Sequence, residues 1–193
     1  MGLATAKQNL RRLLRQRRRD CHAAIMQGDI DQKLIKQWQN LNLSIQLPAS
    51  QIIAGYIPMG SELNIVALMA YLHHQGHIVC IPHLTPAAQL DFIAWSPETS
   101  GILQNNPMIL RRSSNIPLTP AVALVPLLGF DAHGNRLGQG KGYYDRSLTK
   151  DIIAIGVGYS CQQLDNIPVC DKDYPMDYIL TPEKIFTINK DSK

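Results

Sequence analysis

The sequence predicts an α/β protein, a single doubly wound domain over residues 1–193 with a mostly parallel central sheet flanked by helices on both faces. Three observations predict it. Short apolar runs of strand length alternate with segments of helical period along the chain. Two of those runs, 121–126 (AVALVP) and 152–157 (IIAIGV), are almost continuously apolar, the pattern of central strands covered on both sides. The 193 residues, 45% of them hydrophobic and 18% charged, bury a core large enough for one such domain without staples.

The elements follow in order. Residues 3–27 read as a helix with Leu3, Leu10, Leu14 and Cys21 along one face. Lys7, Arg11, Arg15 and Arg18 fall on a neighbouring stripe, and this basic helix is expected to pack onto the domain. A second helix spans about 30–41, with Ile30, Leu34, Trp38 and Leu41 on one side, and Pro48 closes the section. Residues 51–57 (QIIAGYI) read as a buried strand ending at Pro58. A helix over 62–74 leads to a strand at 77–81 that Pro82 stops, and 89–95 forms another strand. Residues 96–120, rich in Pro, Ser and Asn, read as loop. After the central strand at 121–126 come a glycine-rich loop, a short helix over 143–148, the strand at 152–157 and a last short strand at 178–181.

Composition excludes several classes. Four cysteines (Cys21, Cys80, Cys161, Cys170) form no CxxC pair, which argues against a zinc knuckle or a disulfide framework and suits a reducing, cytoplasmic setting. No apolar run approaches the roughly 18 residues of a membrane span. The basic start lacks the apolar core of a secretory signal, is poor in serine and contains Asp20, so it reads as part of the mature fold. The formal charge of +4 is concentrated between Lys7 and Arg19. Such a cluster attracts phosphates, whether of nucleic acid or of a nucleotide. No RNP, KH, helix-turn-helix or zinc-finger pattern accompanies it, so no nucleic-acid partner is expected. With no long exposed apolar face evident, a monomer is expected.

The chemistry concentrates in 125–146, VPLLGFDAHGNRLGQGKGYYDR, which leaves a buried strand and enters a helix where an anion site is expected. Gly138, Gly140 and Gly142 alternate, freeing the backbone for positive φ and close approach to a ligand. Arg136 and Lys141 supply positive charge, and Asp145 in the first helical turn is placed to hold magnesium against phosphates. The loop is neither a Walker A nor a Rossmann fingerprint. By itself it is equally compatible with a plain glycine turn and a carboxylate seated on a helix dipole.

The longer run Phe130-Asp131-x-x-Gly134-x-Arg136-Leu137-Gly138-x-Gly140-x-Gly142-Tyr143-Tyr144-Asp145-Arg146 resembles the signature of the 5-formyltetrahydrofolate cyclo-ligases, also called methenyltetrahydrofolate synthetases. Lys7-x-x-x-Arg11 is similar to that family's nucleotide-contacting helix, and 56–63 (YIPMGSEL) to the segment whose glutamate contacts the pterin. Residues 166–182, with Ile167-Pro168, Asp173 and Thr181-Pro182, are similar to its C-terminal signature. The resemblance implies an ATP- and magnesium-dependent ligase of one-carbon metabolism that closes 5-formyltetrahydrofolate to 5,10-methenyltetrahydrofolate with release of ADP and phosphate. It implies that Lys7, Arg11, Arg136, Gly138, Gly140, Lys141, Gly142 and Tyr144 bind ATP, with Lys141 and Arg136 catalytic. It implies that Ile57, Glu62, Gln139 and Tyr143 meet the folate, and that Asp145 and Asp173 hold magnesium. Gln139 departs from the aromatic or basic residue common in that slot, and 113–117 matches the family's covering loop only loosely.

Other signals carry less. His73, His74 and His77 share a helix but lack an HExxH and a third ligand, so a solvated helix end is expected. His133 is expected to be exposed, Trp38 to lie in the core, and Cys161 and Cys170 to be ordinary small side chains. Tyr56 suits the core and the site equally. The competing readings are a nucleic-acid binder, another phosphate-ligand α/β enzyme, and an inactive folate- or nucleotide-binding relative.

Overall fold

A computed structural model describes residues 2–25, 27–98 and 116–188. Two long helices open the chain, α1 (Leu3–Ala24) and α2 (Gln27–Ile45). The first helix ends three residues before the expected bound, where Ile25 turns extended. The second runs on to Ile45 and stops as Gln46 takes a φ of 49°, the left-handed conformation that commonly ends a helix.

Strands β1 (Ile52–Ala54), β2 (Ile78–Leu84), β3 (Leu90–Ala94), β4 (Val122–Pro126), β7 (Ile153–Val157), β8 (Tyr178–Leu180) and β9 (Ile185–Thr187) make a seven-stranded sheet in the order β3-β2-β1-β4-β7-β8-β9. The five inner strands are parallel, and antiparallel β3 and β9 close the two edges. The expectation of a mostly parallel sheet holds. Helix α3 (Val66–His74) joins β1 to β2, and the short α4 (Tyr143–Ser147) precedes β7. A separate two-stranded hairpin, β5 (Gly129–Phe130) with β6 (Arg136–Leu137), interrupts the glycine-rich segment. Neither that hairpin nor β9 is anticipated by the sequence, because two or three residues cannot display a period.

One expectation is corrected at Pro82. The strand continues through it to Leu84, with Pro82 opposite Phe92 of β3. Cys80 pairs toward β1, so by alternation the nitrogen of Pro82 also points to that side, where β1 has already ended at Ala54. The missing N–H therefore breaks no ladder bond.

Alternation along β4 divides the core. Val122 and Leu124 join Ile30, Leu34, Trp38, Leu68 and Leu72 of α2 and α3 on one face. Ala123 and Val125 join Phe130, Leu148, Met176 and the partly buried Tyr144 on the other. Helix cover is thus unequal: among the described residues the second face is closed by the five-residue α4 and by loops. Helix α1 lies past the carboxyl end of β4, with Leu14 packed on Leu128, Leu137 and Ile167. Near its end Cys21 is paired in a disulfide with Cys161 of a 3-10 turn (Ser160–Gln162), 140 residues away, which corrects the expectation of an ordinary side chain at Cys161. Most of the 96–120 loop, including 113–117, lies outside the described residues; 116–120 has no regular structure. No helix among the described residues is long and apolar enough to cross a membrane.

Candidate active site

The site grows out of the carboxyl end of β4, where α/β sheets open a crevice. The β5–β6 hairpin is set by one buried side chain. Asp131, with no exposed surface, accepts from the amides of His133 (2.9 Å) and Asn135 (3.0 Å) on Oδ1. Its Oδ2 accepts from the Asn135 side chain and the Ile167 amide, both at 2.9 Å. This carboxylate is a structural hub that fixes where Arg136 leaves the hairpin.

Past Leu137 the chain loops back through 138–142. Gly140 has φ +100° and Gly142 +65°, values that L side chains rarely adopt, and Gly142 is the residue from which α4 starts. A Cβ on Gly140 would sit 3.2 Å from the Arg11 guanidinium carbon. Arg11 in turn donates from Nε to the Gly138 carbonyl at 2.9 Å, so α1 and the glycine loop are in direct contact. Arg15 donates to Gln139 Oε1 from Nε (3.3 Å) and Nη2 (3.2 Å), which gives the departing residue a partner on the same helix.

Cations and carboxylates alternate around the cleft. Lys7 donates to Asp173 Oδ2, which also accepts the Cys170 amide at 2.7 Å. Burial works against ionisation of Asp173, but the hydrogen bonds from Lys7 and Cys170 and the Lys7 charge outweigh it and hold the carboxyl below its ordinary range. Arg136, itself buried, donates from Nη2 to Asp145 Oδ1, which also accepts the Tyr174 amide at 3.2 Å. Exposed Lys141 stands at the mouth of the cleft, its carbonyl accepting from Arg146 at 3.1 Å.

At the inner end Glu62 accepts the Met59 amide on Oε2 at 3.0 Å, and its Oε1 lies 3.6 Å from Arg18 Nη1. Tyr144 lines the cleft with its phenol oxygen buried and without a hydrogen-bond partner, and burial raises its pKa. An orphan donor in a cleft is set to meet a ligand. The Tyr143 ring carries the Arg146 guanidinium 5.5 Å from its centroid.

The cleft at their centre has a volume of about 1050 Å³, at the upper end of the range for small-molecule sites. It takes in Lys7, Arg11, Ile57, Glu62, Arg136, Gly138, Gln139, Gly140, Lys141, Gly142, Tyr143, Tyr144, Asp145 and Asp173, every position singled out from the sequence. The sequence reading missed Lys172 and the apolar wall of Ile81, Pro82, Leu84, Leu90 and Leu127. Lys172 had a signal in its neighbour Asp173; the wall had none, since it forms only when β2 and β3 pair. Because α4 has barely one turn, the positive charge of this cleft comes from its side-chain cations more than from a helix dipole.

The discounted side chains fall elsewhere. His77 Nδ1 accepts the Gln51 amide at 3.2 Å, His133 is exposed, and Trp38 is buried in the core. Tyr56 is buried in the core, where its hydroxyl donates to the Leu63 carbonyl at 2.8 Å, and it is also a lining residue of the cleft. Among the described residues no three His, Cys, Asp or Glu side chains gather as a metal site.

With this geometry in hand, residues 4–182 match the model of the 5-formyltetrahydrofolate cyclo-ligase family. The 5-formyltetrahydrofolate cyclo-ligase of Haemophilus influenzae is 33% identical over 168 residues, 81% of this chain and 88% of that protein. Its counterpart from Mycolicibacterium smegmatis is 32% identical over 193 residues, covering 93% and 95%. A solved 5,10-methenyltetrahydrofolate synthetase from Mycoplasma pneumoniae superposes with a TM-score of 0.68 at 25% identity, over 92% of this chain and 99% of that one. The synthetase of Aquifex aeolicus, at 21% identity and a TM-score of 0.65, bears on the fold alone.

Proposed function

The chain belongs to the 5-formyltetrahydrofolate cyclo-ligase family, whose members are ligases, and we propose that it uses ATP and magnesium to close 5-formyltetrahydrofolate to 5,10-methenyltetrahydrofolate. The observation that carries this reading is the convergence of the phosphate-type cations, the two carboxylates and an apolar wall on one cleft.

The chemistry explains the composition of the cleft. An N-formyl carbon is a poor electrophile, because the nitrogen lone pair is delocalised into the carbonyl, and oxide is a very poor leaving group. Both obstacles vanish when the formyl oxygen attacks the γ-phosphorus of ATP and the bond to ADP breaks. N10 of the folate then attacks the activated carbon and loses its proton, and phosphate departs with the carbon–oxygen bond. No protein nucleophile is required; the protein positions two substrates and offsets charge.

Lys7 and Arg11 hold the phosphates from α1, while Arg136 and Lys141 face the transferred phosphoryl group. The glycine loop lets the triphosphate approach the backbone closely. Ile57, Tyr143 and the wall of β2 and β3 take the apolar faces of the pterin, Glu62 accepts from its polar edge, and Gln139 borders the folate. Tyr144 donates its unpartnered hydroxyl to the nucleotide. Asp145 and Asp173 are hard oxygen donors of the kind that would hold magnesium. Each is paired with a cation of the same cleft, so Arg136 and Lys7 stand one hydrogen-bond exchange from a phosphate. Magnesium, when bound, spreads the negative charge of the phosphates.

The test is to incubate purified protein with 5-formyltetrahydrofolate, ATP and magnesium and follow the near-ultraviolet absorbance of the methenyl product. The expected result is product that disappears when ATP or magnesium is omitted. Binding of both substrates without turnover would instead identify an inactive relative, and binding of neither would return the function to another α/β enzyme class.

A further inference from the structure

Arg18 stands out among the charges that the proposed mechanism leaves unused. It is 6% exposed, and it sits on the same face of α1 as Lys7, three helical turns further on. It does not line the cleft. Its Nε donates to Ser61 Oγ at 3.2 Å, its Nη1 reaches the Leu127 carbonyl at 3.5 Å, and the same nitrogen lies 3.6 Å from Glu62 Oε1. One guanidinium therefore joins α1, the loop between β1 and α3, and the end of β4.

A buried ion pair is poor evidence for stability, because desolvating two charges offsets most of their attraction. Burial pulls the Arg18 pKa down, and Glu62 is the first of the influences opposing that shift. The geometry suggests what the pair accomplishes. Glu62 Oε2 is fixed by the Met59 amide, and Oε1 is held by charge at a distance beyond a normal hydrogen bond. The carboxylate is thus oriented from behind, while Oε1 keeps its capacity to accept from a ligand in the cleft.

We propose that Arg18 is a positioning residue that aims the Glu62 carboxylate at the polar edge of the pterin. This rests on the assignment of Glu62 to the folate. Glu62 touches the substrate; Arg18 acts only through Glu62 and the adjacent Ser61.

The experiment is a double-mutant cycle with Arg18→Gln, Glu62→Gln and the double variant, measuring KM separately for 5-formyltetrahydrofolate and for ATP, with thermal melts alongside. Arg18→Gln is expected to raise the folate KM about tenfold, the effect of a misaimed Glu62 carboxylate weakening its contact with the pterin, while the ATP KM changes less than about twofold. In the Glu62→Gln background the same substitution is expected to add less than about twofold, because the two act as one unit. If Arg18→Gln does not fold, Arg18→Lys carries the same cycle, since it keeps the charge and drops the fork to Ser61. Independent, multiplying penalties, or a parallel rise in both KM values, would overturn the proposal in favour of a structural role. A raised folate KM for Glu62→Gln beside an unchanged one for the Arg18 variants would overturn it alone. An unchanged folate KM for Glu62→Gln would remove the Glu62 assignment and the proposal with it.

Discussion

The Arg136 guanidinium donates to Asp145 Oδ1 while its carbon stands 5.8 Å from the centroid of the Tyr144 ring, so a single cation is held between a carboxylate and an aromatic face. Both contacts use the planar shape of the group. Arg136→Lys keeps the charge but cannot span Asp145, Tyr144 and a phosphoryl group together. We expect kcat to fall about 100-fold, the scale of losing one preorganised transition-state donor. Steady-state kinetics on a variant with a wild-type melt checks this, and turnover within threefold of wild type would contradict it.

Lys141 offers the opposite case, because it is exposed and anchors nothing in the core. Lys141→Ala is expected to change stability by less than about 0.5 kcal/mol while lowering turnover by about two to three orders of magnitude. A urea melt and the methenyl assay on the same preparation separate the two. Near-normal turnover would end the assignment of Lys141 to the phosphoryl group.

Acid should reveal the Lys7–Asp173 pair. The Asp173 carboxyl lies below its ordinary value in the folded protein, so its contribution to stability is complete above the unfolded value of about 3.9 and is lost as pH falls through the folded value. The urea midpoint of wild type should exceed that of Asp173→Asn at neutral pH, and the gap should narrow below about pH 4. A gap that stays constant into strong acid would show that the pair contributes nothing through ionisation.

Asp131 should behave as architecture. It accepts four hydrogen bonds, the one from Ile167 buried and the other three part-buried, and Asp131→Ala removes the acceptor of all four. Destabilisation of about 3–5 kcal/mol is expected from chemical denaturation. Loss of activity with an unchanged melt would move Asp131 from the scaffold into the site.

The sequence spoke most clearly where information is local. The runs at 121–126 and 152–157 became β4 and β7 because a strand buried on both faces must be apolar throughout. The glycine loop was legible because positive φ at Gly140 and Gly142 leaves few residue choices. Pro82 misled because the cost of a missing N–H depends on which neighbour it faces, and that is fixed only by where β1 ends. Likewise Arg18 read as one more member of a basic stripe, since its burial against Glu62 is a contact 44 positions away in sequence. Cys21 and Cys161 gave no warning for the same reason, being 140 residues apart.

The bond between Lys7 and Asp173 spans 166 positions, from the first turns of α1 to the loop before β8. Closing a loop of that size is slow, and it comes late when other contacts can shorten the path first. A chain still being synthesised therefore holds the basic helix long before it holds the carboxylate that pairs with it. The pairing at the cleft is completed only once residue 173 has been made. A chain ending before residue 173 would carry the entire glycine loop and still lack the carboxylate that pairs with Lys7.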